Sequence, residues 1–177
     1  MVTKAEKNYI LIRCYLSAIL FVGISIGTFA QVTATASASA TIITPIAISK
    51  SVDMDFGNIA AGSSAGSVQL TPAGSRSLTG GITLPGIQGT VTPASFLISG
   101  APNVAYSITL PVNALIITSG SNNMEVNVFE SDPAATGTLG TNGLQTLNVG
   151  ATLIVGASQP AGSYSSNSPF AVTVNYN

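Results

Sequence analysis

From Val32 to Ile42 every even position is apolar (Val32, Ala34, Ala36, Ala38, Ala40, Ile42) and every odd position is Thr or Ser. Strict period two over that length predicts a strand with one apolar face. Alanine's helix propensity argues for a helix instead. The intervening Thr and Ser weaken that reading, because Thr is stiff at χ1 and Ser seeks caps and turns. Strand is the better prediction. Shorter pieces follow: Ile46–Ile48, Met54–Ile59, Ser67–Leu70, Phe96–Ile98, Tyr106–Leu110, Leu115–Ile117, Met124/Val126/Val128 with Glu125, Asn127 and Glu130 outward, and Leu147–Val155. The chain closes with Phe170, Val172, Val174 and Tyr176 on one face and Ala171, Thr173 and Asn175 on the other.

Gly, Pro, Asn and Ser punctuate these runs, at Ala61-Gly62-Ser63, Thr79-Gly80-Gly81, Gly100–Asn103, Gly120–Asn123, Gly140–Gly143 and Gln159–Gly162. Short strands separated by turns predict an all-β sandwich. Asn142-Gly143 is the candidate type I′ hairpin turn, both of whose central residues require positive φ. No amphipathic helix and no fixed-period repeat stands out after residue 30.

Residues 1–30 read as a secretory signal. Lys4, Lys7 and Arg13 precede the apolar run Leu16–Ile26, and Thr28 and Ala30 are small residues at a cleavage position before Gln31. That run of 11 residues falls short of the roughly 20 that span a bilayer as a helix, which argues against a retained anchor. Cleavage there removes Cys14, the single cysteine of the 177 residues, so the exported chain holds no disulfide. Its charges reduce to Lys50 and Arg76 against Asp53, Asp55, Glu125, Glu130 and Asp132. Two cations cannot neutralise a phosphate track, which disfavours nucleic-acid binding.

Catalytic material is thin. The chain contains no His and no Trp. Asp53 and Asp55, two apart, would share a strand face and form half of a metal site, but no Asp/Asn-rich calcium loop surrounds them. Solubilising edge charges are the favoured reading of that pair. Glu125, Glu130 and Asp132 would supply glycosidase carboxylates but lack aromatic sugar platforms. Serine nucleophiles need a base, and Lys50 beside Ser49 on a strand points to the opposite face. Gly80-Gly81 is no phosphate loop, since no helix follows it. The reading is no enzyme, no cofactor and no metal.

The two ends carry more. An apolar face made almost wholly of alanine buries little, on the order of 0.8 kcal/mol per methyl, and makes a poor core strand. It suits addition to a neighbour's sheet, where backbone hydrogen bonds supply affinity. The alternatives are a first strand of its own domain or a Thr/Ser/Ala tail. The closing strand, with large alternating side chains, is either central or an edge awaiting a partner. A detached strand and an open edge on each copy give head-to-tail contacts, which make filaments when the rotation does not close.

The ordered pieces Ala40–Ile48, Met54-Asp-Phe-Gly-Asn-Ile59, Ala65–Val68, Phe96–Gly100, Tyr106–Leu110, Val149–Gly156, Gln159–Tyr164 and Phe170–Tyr176 resemble the DUF4402 family of exported bacterial proteins. That family is similar in pattern to spore-coat-U-like and chaperone–usher pilin domains. The resemblance implies an immunoglobulin-like (pilin-like) β-sandwich lacking one strand, which the N-terminal extension of the next subunit supplies. It further implies a periplasmic chaperone and an outer-membrane assembly protein as partners. The lack of a disulfide after residue 30 departs from many such pilins.

The expectation is therefore an all-β, pilin-like sandwich with an extended N-terminal strand: a signal over 1–30, a candidate donor strand over 31–43 and a sandwich over 44–177. Val32, Ala34, Ala36, Ala38, Ala40 and Ile42 would donate. Phe170, Val172, Val174 and Tyr176 would flank the acceptor groove of an identical subunit, building a homopolymeric surface fibre. The competing expectation is a monomeric secreted adhesin or binding module.

Overall fold

The computed structural model describes residues 31–177; the signal reading over 1–30 lies outside the described residues. Residues 42–177 form a compact unit of eleven strands: β1 (Ala47–Val52), β2 (Ala60–Leu70), β3 (Arg76–Thr83), β4 (Ala94–Ser99), β5 (Ala105–Thr109), β6 (Leu115–Ser119), β7 (Asn122–Asp132), β8 (Thr136–Thr138), β9 (Leu144–Val155), β10 (Ser165–Ser166) and β11 (Thr173–Tyr176). All pairings are antiparallel.

β9 is the spine. Its inner row, Leu147, Val149, Ala151, Leu153 and Val155, is at most 2% exposed. Burying a Val or Leu side chain is worth about 1.5–3 kcal/mol, so this row dominates the core. One edge of β9 pairs with β7; the other pairs with β4 up to Val149 and with β2 from Ala151. Gly150 stands where the partner changes, and a Cβ there would fall on the Leu70 carbonyl oxygen. The large sheet continues from β4 to β1, from β2 to β3, and from β7 through β6 to β10.

A second sheet, β11-β5-β8, covers the first half of β9. Tyr106 and Val174 from that layer join Ala94, Ile98, Leu147 and Val149 in one core cluster, making a sandwich. Tyr106 is fully buried; its hydroxyl donates to Gln145 Oε1 at 2.8 Å, and burial pushes its pKa up. The second half of β9 packs with Val68, Ile82 and Val126 under Met54, Phe56 and Ile59. The Met54–Ile59 crossing is fixed locally: Asp55 Oδ1 accepts from Gly57 N (2.8 Å), Gly57 has φ +70°, and Arg76 donates to the carbonyls of Phe56 and Asn58.

Four sequence expectations change here. Ala61-Gly62-Ser63 and Thr79-Gly80-Gly81, read as turns, lie inside β2 and β3. Their glycines let the two backbones approach, since a Cβ on Gly62 would meet Gly81 O at 2.6 Å. Val128 is not inward. Between Asn127↔Thr152 and Glu130↔Gly150, β7 has two residues against one, and this bulge turns Val128 out (62% exposed, φ 48°) and Phe129 in. Asn142-Gly143 is not a type I′ hairpin turn. Only Gly143 has positive φ, Asn142 Oδ1 accepts from Leu144 N (3.0 Å), and the corner joins β8 in one sheet to β9 in the other. Finally, β1 ends at Val52, so Asp53 and Asp55 do not share a strand.

Candidate functional site

Phe170, Val172, Val174 and Tyr176 form a continuous inward row, Val174 buried and the other three half-buried, while Ala171, Thr173 and Asn175 face out. The structure thus brings the four predicted acceptor residues together. β11 pairs on one edge with β5, Thr173↔Thr109 through Tyr176↔Tyr106. No strand pairs with its other edge among the described residues. A four-residue edge of unpaired N–H and C=O groups spans about 13 Å at roughly 3.3 Å per residue.

The neighbouring strand of the other layer is β1, which approaches β11. β1 pairs only with β4, and Ile48 is the single one of its six residues that is not exposed. The register Ile48↔Ile98 and Lys50↔Phe96 puts these side chains on the inner face of the sheet, because cross-strand partners share a face. On that face Lys50 is exposed, while Ile48 and Phe96 are half-buried and packed against the core cluster. Ile46, Ile48, Phe96, Phe170 and Val172 border it half-buried. Sequence periodicity located the β11 row but missed Phe96 and Ile48 as its counterparts, because only the β1–β4 register relates them.

Tyr176 closes one end of this strip. Its hydroxyl accepts from Ala101 N (2.6 Å) and donates to the carbonyl of Thr44 (2.8 Å). The last strand therefore holds both the β4–β5 corner and the stretch of chain leading into β1. Gly100 is required beside it, since a Cβ there would fall on that hydroxyl.

The predicted donor residues stand differently. Val32, Ala34, Ala36, Ala38, Ala40 and Ile42 are all exposed, Val32 by 92% and Ile42 by 97%. Residues 31–46 belong to no ladder among the described residues. A period-two segment without a partner has backbone groups facing water, whatever its propensity.

The carboxylates do not converge. Asp53 pairs with Lys50 at 2.7 Å in water, Asp55 caps the Gly57 turn, and Glu125 Oε1 accepts from Asn127 Nδ2. Glu130 and Asp132 are exposed on β7. No group of three or more metal-ligating side chains occurs among the described residues, and no helix there is long and apolar enough to cross a membrane.

Residues 46–176 match the family model described as a domain of unknown function, DUF4402. The chain belongs to the DUF4402 family. The comparison with curated proteins and the comparison with solved structures each returned no match.

Proposed function

We propose that this chain is an exported structural subunit of a pilus-like surface fibre, polymerising when residues 32–42 of one copy add to the open edge of β11 in the next. The observation that carries this reading is the pairing of vacancies: an unpaired β11 edge among the described residues, bordered by half-buried apolar side chains, and an exposed period-two segment without a ladder. Strand addition satisfies the backbone groups of both at once. The likeness to spore-coat-U-like and chaperone–usher pilin domains supports the same arrangement, with an immunoglobulin-like sandwich completed by its neighbour. It also brings in a periplasmic chaperone and an outer-membrane assembly protein. The low charge density suits close packing of identical copies, since little repels them.

Electron microscopy and size-exclusion chromatography of residues 31–177 test the reading. Filaments or ladders are expected, and Ala36→Asp or Ala38→Asp abolishes them, because a carboxylate buried without a partner costs several kcal/mol. A sharp monomer peak at all concentrations would instead support a monomeric secreted adhesin or binding module, and polymers indifferent to both substitutions would overturn strand donation.

A further inference from the structure

We infer that Gln31, once it is the amino end of the exported chain, closes on itself to pyroglutamate, whereas a second self-reactive amide, Asn142, is kept intact by the fold. Cleavage after Ala30, part of the export reading, is the premise; strand donation is not. A side-chain amide is lost to its own backbone where a nucleophilic nitrogen lies one ring closure away, because intramolecular attack has the effective concentration that a bimolecular reaction lacks. After cleavage the α-nitrogen of Gln31 stands in that relation to its own Cδ. In Asn142-Gly143, the single Asn-Gly pair of the sequence, the Gly143 nitrogen stands so to Asn142 Cγ, with no side chain on Gly143 to hinder it.

At Gln31 the new bond joins the α-nitrogen to Cδ, and the bond from Cδ to Nε2 breaks. Nε2 leaves as ammonia, carrying the proton that the α-nitrogen gives up, so nothing is oxidised and no water is consumed. An α-amino pKa of about 7.7–8.0 leaves roughly a tenth of that nitrogen unprotonated and nucleophilic at neutral pH. The fold separates the two sites. Gln31 is exposed, and residues 31–46 belong to no ladder that would fix its main chain. Asn142 is exposed as well, but both of its reacting groups are engaged. Gly143 N donates to Gly140 O (2.9 Å), and Asn142 Oδ1 accepts from Leu144 N (3.0 Å). Gly100 N donates to Gly143 O (2.9 Å) and Gly140 N to Leu144 O (3.1 Å), which ties the corner on both sides. Attack on Asn142 Cγ must break the first two bonds together, and that requires local opening of the corner. Closure at Gln31 also changes the leader's charge. No side chain from Gln31 to Ser49 is charged, and Lys50 is the first. The α-ammonium is then the one charge in that run, and the lactam removes it. A leader without charge brings no ion to be desolvated where it meets an apolar surface.

The test secretes the full chain from a bacterium and maps the purified product by mass spectrometry, fresh and after storage at neutral pH. The first peptide is expected to begin at residue 31, lighter by one ammonia and blocked to aminopeptidase, while Asn142 stays asparagine. Unfolding in urea should speed conversion of Asn142 to aspartate and isoaspartate by about tenfold or more. A Gln31→Ala chain should carry a free amine that aminopeptidase removes. If that variant is not cleaved, residues 31–177 freed from a tag with Gln31 first take its place, and should shed ammonia on storage. A product beginning at Gln31 whose amine stays open would overturn the inference while leaving export standing, as would Asn142 converting as fast folded as unfolded. A product beginning elsewhere, or one that keeps residues 1–30, would overturn the inference and the cleavage reading together.

Discussion

Removing the Tyr176 hydroxyl tests how firmly the last strand organises the open end of the sandwich. Tyr176→Phe deletes one bond accepted from Ala101 N and one donated to Thr44 O. Ala101 is only 8% exposed, so its N–H loses a partner with little access to water. Two ordinary hydrogen bonds contribute about 1 kcal/mol each, and an orphaned buried donor costs roughly 1–3 kcal/mol. A loss of about 2–3 kcal/mol is therefore expected, read from the urea midpoint at unchanged slope. Gly100→Ala attacks the same contact from the other side, since its Cβ would fall on the hydroxyl. The two changes should couple: Gly100→Ala costs less in the Tyr176→Phe background, by about 0.5–3 kcal/mol. Strict additivity, or a Tyr176→Phe cost below about 0.5 kcal/mol, would refute the clasp.

Three further outcomes follow from particular residues. Gly150→Ala drives a methyl into the Leu70 carbonyl where β9 changes partner, and should cost at least about 3 kcal/mol or prevent folding, as measured by circular dichroism and urea denaturation. Val128→Asn should stabilise by about 1 kcal/mol, because a β-branched residue at φ 48° and 62% exposure is strained without being packed; a lower thermal midpoint would contradict this. Tyr106 has its pKa raised by burial, so it contributes stability below the ordinary tyrosine pKa of about 10 and loses it as pH rises, because the unfolded chain ionises first. Stability measured from pH 9 upward should fall more steeply in the native protein than in Tyr106→Phe, and equal slopes would contradict this assignment.

Much of the fold was legible because its signals are local. Alternation at Leu147–Val155 and Phe170–Tyr176 gives the right faces, and the Met54–Ile59 and Tyr106–Leu110 pieces fall where the core needs them. What was hidden depends on pairing. Glycines that usually break strands, at Gly62, Gly66, Gly80 and Gly81, here allow β2 and β3 to close on one another. The bulge that exchanges Val128 for Phe129 is a two-against-one register with β9, invisible along β7 alone. Half of the candidate site was readable for the same reason. The β11 row follows from period two, whereas the placing of Ile48 and Phe96 on one inner face follows from the β1–β4 register. The bond from Tyr176 to Thr44 spans almost the whole described chain and has no sequence signal.

Disulfide trapping between two differently tagged forms of residues 31–177 asks the central question most directly, because no cysteine lies beyond Cys14 to interfere. One form carries Ser37→Cys or Ser39→Cys in the leader; the other carries Asn175→Cys on the outward face of β11, where Asn175 is exposed. Strand donation predicts a cross-linked species bearing both tags, lost when Ala36→Asp is added to the leader form. A chain holding both cysteines that closes only on itself, with no mixed-tag product at high concentration, would contradict the account.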